Sequence, residues 1–259
     1  MIKHTGRISI IVLASIWCLT IASCSFLSVN AQQPSSNRLP ILLIHGYNEY
    51  PSIWDTWKTW LQADGFSNVY AISFQDDKCG SVADHTMELT GIVNGILQNT
   101  GSQKVNIVAH SKGGLDARWY IAHGGADKVA NLIMIGTPNS GSPAAVWDLT
   151  GCTLGSDKDL HPGSAATRVV DRPQSTHYYT IAGNWRPDQL CPTGVFGAWI
   201  PDGGNCLIPG KDDLFVSVDS AQASPLRHYI PLGQPFPYDH FALLKHRDVF
   251  DLALPKLNG

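Results

Sequence analysis

Val105-Asn106-Ile107-Val108-Ala109-His110-Ser111-Lys112-Gly113-Gly114 runs from an apolar, β-branched stretch through one serine into a pair of glycines. The run up to Ala109 has strand character, and Leu115–Ala122 beyond the glycines has helical character. A serine at such a junction sits on a tight strand-to-helix turn whose neighbours must be small, and its Oγ is pushed out above the sheet. The helix N-terminus behind it supplies backbone N–H groups and positive potential. The first small position holds Ala109 in place of the usual glycine. A motif this short is weak alone, so its surroundings decide.

Working outward, apolar runs alternate with helical patterns. Leu39–Ile44, Val69–Phe74, Val105–Ala109, Leu132–Ile135 and Tyr178–Ala182 read as short buried strands. Ser52 with Asp55 and Ser81 with Asp84 read as capping-box pairs that open helices. Behind the first, Trp54, Trp57, Trp60 and Leu61 share one helical face. That stripe reads as the core side of the helix, with an acyl-chain channel wall as the alternative. Met87, Leu89, Ile92, Val93 and Ile96 mark the second helix. This rhythm predicts an α/β protein with a mainly parallel, doubly wound sheet flanked by helices. Thr137 to Asp213 is richer in Gly, Pro, Ser, Cys and Trp, and predicts a loop-rich insertion over the top of the sheet, at about residues 138–210.

The chain has 259 residues, enough for one domain with a full core. Lys3 and Arg7 precede an uncharged stretch from Ile8 to Val29, whose part Ile8–Leu19 is strongly apolar, so residues 1–31 read as an export signal. Val29-Asn30-Ala31 before Gln32 fits a secretory cleavage site, whereas Ile21-Ala22-Ser23-Cys24 fits a lipoprotein signal with Cys24 lipidated. A retained membrane anchor is the third reading. Residues 32–38 form a polar linker, and the domain spans 39–259. Net charge is −3 and no Lys/Arg cluster exists, which excludes a nucleic-acid partner. Beyond the signal stand Cys79, Cys152, Cys191 and Cys206. In an exported protein these predict the disulfides Cys191–Cys206 and Cys79–Cys152, with free buried thiols as the alternative. No C-x-x-C pair suggests zinc, and no ligand spacing suggests calcium.

Downstream of Ser111, carboxylates lie in Gly210-Lys211-Asp212-Asp213-Leu214-Phe215-Val216-Ser217-Val218-Asp219-Ser220-Ala221, and a histidine lies in Pro237-Tyr238-Asp239-His240-Phe241-Ala242-Leu243-Leu244. Nucleophilic acyl transfer needs a nucleophile, a base, an acid that orients the base, and donors for the oxyanion. Serine, aspartate and histidine follow in the chain order of α/β-hydrolases.

With these segments in view, the chain resembles lipases of the α/β-hydrolase superfamily. Pro-Ile-Leu-Leu-Ile-His-Gly-Tyr (40–47) is similar to their first core strand and oxyanion loop, and Ala-His-Ser-Lys-Gly-Gly (109–114) to their serine turn. Ile135–Ser142, the Asp213 loop and Asp239–Leu244 are similar to the segments that follow. The resemblance spans about Leu39 to Leu254 and is shared with inositol-deacylase-like hydrolases and lecithin acyltransferases. It implies Ser111 as nucleophile, His240 as general base and Asp213 as acid, with backbone N–H groups of Tyr47 and Lys112 as oxyanion donors. Leu214 stands where the family often has glycine. Asp212 is the rival acid and His246 the rival base; Asp219 and Asp239 read as surface or loop carboxylates. His110 reads as structural beside the turn, His45 as a residue shaping the oxyanion loop, and the Lys112 side chain as exposed. His85, His123, His161, His177 and His228 have no motif context.

The implied activity is hydrolysis of lipid carboxylic esters, as lipase or carboxylesterase, by a cofactor-free monomer acting on a hydrophobic ester. Alternatives are a membrane-lipid deacylase or acyltransferase and a non-catalytic binding protein of the same fold. The three competent residues argue against the last. A dehalogenase would need a carboxylate at position 111, and a redox enzyme a glycine-rich dinucleotide loop.

Overall fold

The computed structural model describes residues 38–75, 79–146, 156–185, 190–192, 199–201, 208, 210–223 and 228–258. The export signal, Cys152 and Cys206 lie outside the described residues. Cys79 is a disulfide cysteine, and the pairings expected above stand as expectations.

Six parallel strands form the sheet: β1 (Ile41–Ile44), β2 (Val69–Ala71), β3 (Val105–His110), β4 (Val129–Ile135), β5 (His177–Ile181) and, later in the chain, Ile230–Pro231. Two further strands, β6 (Leu190–Pro192) and β7 (Trp199–Pro201), pair antiparallel in a ribbon of their own, which makes Ile230–Pro231 β8. The order is β2-β1-β3-β4-β5-β8. From β1 the chain moves outward to β2, then crosses back to β3 on the other side of β1. Such a reversal opens a crevice at the carboxyl ends of β1 and β3, where ligands of open α/β sheets bind.

Strand alternation sorts the core into two layers. Leu42, Ile44, Ile107, Ala109, Leu132 and Met134 point to one face. There they meet Leu89, Val93 and Ile96 of α2 (Val82–Thr100) and Ala117 and Tyr120 of α3 (Lys112–Tyr120). Ile41, Leu43, Val108, Ile133 and Ile135 point to the other. They meet Trp57 and Leu61 of α1 (Asp55–Ala63), and Val249, Phe250, Ala253 and Leu257 of a C-terminal helix, Arg247–Leu257. Two short helices, α4 (Ser156–Leu160) and α5 (Val218–Gln222), precede that helix, which is therefore α6. The fold is an α/β-hydrolase sheet wound on both faces.

Trp54 and Trp57 are fully buried in the second layer, and Trp57 Nε1 donates to the Leu244 carbonyl at 3.0 Å. The stripe is thus the core side of α1. Ser81 caps α2 as expected: its Oγ accepts from Asp84 N at 3.2 Å, and the Asp84 carboxylate accepts from Ser81 N. The Ser52–Asp55 box does not form. Pro51 at the first position starts a 3-10 turn, Pro51–Trp54, that absorbs Ser52, and α1 opens behind it with no side-chain cap.

Candidate active site

Ser111 joins β3 to α3 with φ 52° and ψ −128°, a conformation that costs free energy in a non-glycine residue. The surroundings hold it there. Ser111 N donates to the Ile135 carbonyl at 2.9 Å, and Gly114 N donates to the Ser111 carbonyl at 3.1 Å. The paired glycines let α3 approach the strand ends. A Cβ on Gly113 would lie 2.4 Å from the His45 carbonyl oxygen, and one on Gly114 2.1 Å from Thr137 Oγ1. Ala109, fully buried in the first layer, fills a core position that tolerates a methyl group.

The β1 carboxyl end supplies the second wall. Gly46 lies so close to the turn that a Cβ on it would sit 2.7 Å from Ser111 Cβ. From Gly46 the chain turns through Tyr47 and Asn48, the latter at φ 52°, and closes with Glu49 N donating to the Gly46 carbonyl at 3.4 Å. His45 is buried, and its Nδ1 lies 2.9 Å from the Gly46 carbonyl. Burial lowers its pKa against the raising effect of that hydrogen bond and of Glu49. It thus contacts the backbone of the turn that follows β1.

Asp213 and His240 meet beside this crevice. His240 Nδ1 lies 2.8 Å from Asp213 Oδ2, and His240 N donates to the Asp213 carbonyl at 2.8 Å. The other carboxylate oxygen, Oδ1, accepts from Phe215 N at 3.0 Å and Val216 N at 2.8 Å. Gly136, at φ 58°, leaves room for the pair: a Cβ there would lie 3.1 Å from His240 Nδ1 and 3.2 Å from Asp213 Oδ2. Burial opposes charge on His240, but the charge and hydrogen bond of Asp213, then Glu49 and Asp239, outweigh it and raise the pKa above 6.5. Phe215 and Phe241 flank the imidazole with ring centroids at 5.4 and 5.5 Å, and Phe241 is exposed.

The rivals hold other places. Asp212 accepts from Leu214 N at 2.7 Å, bracing the loop that carries Asp213. His246 is exposed, precedes α6 and stacks on Tyr238. Asp219 is exposed in α5, and Asp239 Oδ1 accepts from the N–H groups of Phe241 and Ala242.

Two outcomes depart from expectation. The Lys112 side chain is buried, 1% exposed, with Nζ donating to Asp116 Oδ1 at 2.7 Å and 3.4 Å from His85 Nδ1. Helical spacing puts residue 116 one turn on from 112, so the ammonium finds its counter-ion inside the protein. Burial would push the Asp116 carboxyl up, but Lys112 and His85 hold it below the ordinary value. Sequence reasoning also passed over Glu49. Its Oε2 accepts from Gly46 N at 2.6 Å and lies 2.8 Å from His110 Nδ1. The only sequence signal was a carboxylate three residues after the Gly46 that opens the turn.

The sequence profile of the class 2 lipases (Lipase_2) matches residues 38–171, which include the Gly46 turn and Ser111 but neither Asp213 nor His240. A triacylglycerol lipase of Burkholderia plantarii is 33% identical over 127 residues, 46% of this chain and 34% of that protein. One of Pseudarthrobacter phenanthrenivorans is 33% identical over 120 residues, 43% and 36%. The aligned stretch thus spans about a third of these relatives' length. The mature form of the Bacillus licheniformis lipase BlEst2 superposes with TM-score 0.62 and 25% identity, covering 85% of this chain and 92% of that one. Its propeptide form gives TM-score 0.69 at 24% identity, covering 87% and 51%. The profile takes in just over half of the residues, and on that match, with a sheet of the same fold, the chain belongs to the class 2 lipase family.

Proposed function

We propose that this chain is an exported serine hydrolase that cleaves carboxylic esters of lipids through an acyl-enzyme. The observation that carries the reading is Ser111 on its strained turn against the Gly46 loop, with its neighbour His110 reaching His240, an imidazole whose Nδ1 is engaged by a buried carboxylate. Nδ1 donates to Asp213, so Nε2 is the basic nitrogen. It takes the Ser111 proton as Oγ adds to the ester carbonyl, and Asp213 stabilises the resulting imidazolium. The N–H groups of Tyr47 and Lys112 receive the oxyanion, each such donor lowering the barrier by roughly 3–4 kcal/mol. The imidazolium returns its proton to the departing alcohol. Water, deprotonated by the same nitrogen, then releases the acid and restores Ser111.

The family and the named activity of the triacylglycerol lipases above support a lipid ester as substrate. So does the chemistry of the approach, where Phe215 and exposed Phe241 offer apolar contact around the base. Export rests on Lys3, Arg7 and the apolar run Ile8–Leu19.

Ser111→Ala tests the nucleophile. Turnover of p-nitrophenyl esters is expected to fall by about 10⁴-fold or more at unchanged thermal stability, and a fluorophosphonate is expected to label the parent protein at Ser111. Equal turnover by the variant overturns the assignment. A series of acyl lengths, with and without a lipid–water interface, separates lipase from esterase.

A further inference from the structure

We infer that Glu49 is a positioning residue, which keys the oxyanion loop to the nucleophile turn and to the backbone of the general base. The inference rests on the serine-hydrolase reading above. Three parts of the site converge on this one buried carboxylate. A single oxygen, Oε2, takes the Gly46 N–H at 2.6 Å and faces His110 Nδ1 at 2.8 Å. Glu49 N in turn closes on the Gly46 carbonyl, so backbone and side chain of one residue clasp the turn that carries the Tyr47 N–H. His110 is the residue before Ser111. Its other nitrogen, Nε2, lies 3.0 Å from the His240 carbonyl oxygen, and its ring lies 4.5 Å from the His240 ring, centroid to centroid.

Hydrogen-bond chemistry makes this a rigid link. Both nitrogens of the buried His110 ring face acceptors, Nδ1 the Glu49 carboxylate and Nε2 the His240 carbonyl, so the ring spans the two with little freedom to turn. Burial would push the Glu49 carboxyl up, but His110, by charge and hydrogen bond, holds it below the ordinary value, with His240 and the Gly46 N–H adding to the effect. Loss of the carboxylate would free the turn and leave His110 Nδ1 without its partner, so that the ring is no longer fixed against the His240 carbonyl. The oxyanion donor and the base would then lose their common reference, while the acyl-binding surface keeps its contacts. A defect in kcat and not in KM is the signature.

The test compares Glu49→Gln, Glu49→Ala and, as a control, Asp171→Asn, which breaks the ion pair with Arg118 elsewhere in the fold. Each is assayed on a soluble short-chain p-nitrophenyl ester, labelled with a fluorophosphonate and unfolded in urea. Glu49→Ala is expected to lower kcat about 100-fold with KM held within about threefold. Glu49→Gln keeps an oxygen that accepts both N–H groups but carries no charge, and is expected to recover about tenfold of that loss. Asp171→Asn is expected to leave kcat within about twofold whatever its effect on stability. Wild-type kcat in both Glu49 variants, with Ser111 still labelled, overturns the inference. So does a kcat loss in Asp171→Asn that matches Glu49→Ala at equal destabilisation. Failure of the parent protein to label at Ser111 overturns the serine-hydrolase reading instead.

Discussion

Leu214 sits at φ 91°, directly after Asp213. An L-residue with a Cβ in this region carries roughly 1–2 kcal/mol of steric strain, which glycine escapes. The strain persists because both neighbouring carboxylates fix the loop: Asp212 holds Leu214 N, and Asp213 holds Phe215 N and Val216 N. Leu214→Gly is therefore expected to unfold in urea at or above the parent's stability, and Leu214→Val about 2 kcal/mol below the glycine variant. His240 gives a second prediction at this scale. As the proposed base, His240 must be neutral to accept a proton, and its pKa lies above 6.5 because Asp213 outweighs burial. The acid limb of kcat/KM is expected above pH 6.5. Asp213→Asn should move it to lower pH while the plateau falls by about 10⁴-fold. The sign for stability follows. The pair contributes fully below the unfolded-state pKa of histidine, and its contribution fades as pH rises through the raised folded value. Unfolding midpoints of parent and Asp213→Asn should converge across that window. In the sequence the Ser111 turn was plain because it needs only local small residues. Glu49 was hidden because its partners are set by the fold: His110 stands 61 residues away.

Between elements, α2 and α3 are joined by charge as well as by the apolar layer. His85 of α2 stacks on Phe74 with ring centroids 3.6 Å apart, and its Nδ1 lies 3.0 Å from Asp116 Oδ1 of α3, which also takes Lys112 Nζ. At the start of α2, Asp159 of α4 accepts from Val82 N at 2.7 Å. Asp116→Ala would strand a buried ammonium, and is expected to cost about 3–5 kcal/mol in urea unfolding. Lys112→Met with Asp116→Leu should recover most of that loss. The Lys112–Asp116 spacing was present in the sequence, but a lysine is ordinarily solvated and was read as exposed. Only the packing of α3 against α2 turns it inward. The Ser81–Asp84 box was legible because a capping box is local, whereas the equally local Ser52–Asp55 pair was overridden by Pro51 and its 3-10 turn.

At the scale of the molecule, the parallel sheet was legible in the continuous apolar runs of β1, β3 and β4, each buried on both faces. Its edge was not. β8 is two residues long, exposed and ends in proline, so neither alternation nor propensity announces it, and its pairing with β5 depends on where the preceding loops bring it. Between the two sits the question of how the site comes together. The Ser111 turn and the Gly46 loop, the proposed nucleophile and oxyanion elements, belong to strands that neighbour each other early in the chain. Asp213 and His240 arrive from beyond residue 210, and the bond from His110 to the His240 carbonyl closes a separation of 130 residues. Closing so long a loop is a late and slow event in folding, because its entropy must be overcome before the contacts it brings can form. A chain refolding from denaturant would therefore recover its helical signal before it recovers turnover, and enzymatic activity becomes a clock for the closing of the long-range contacts.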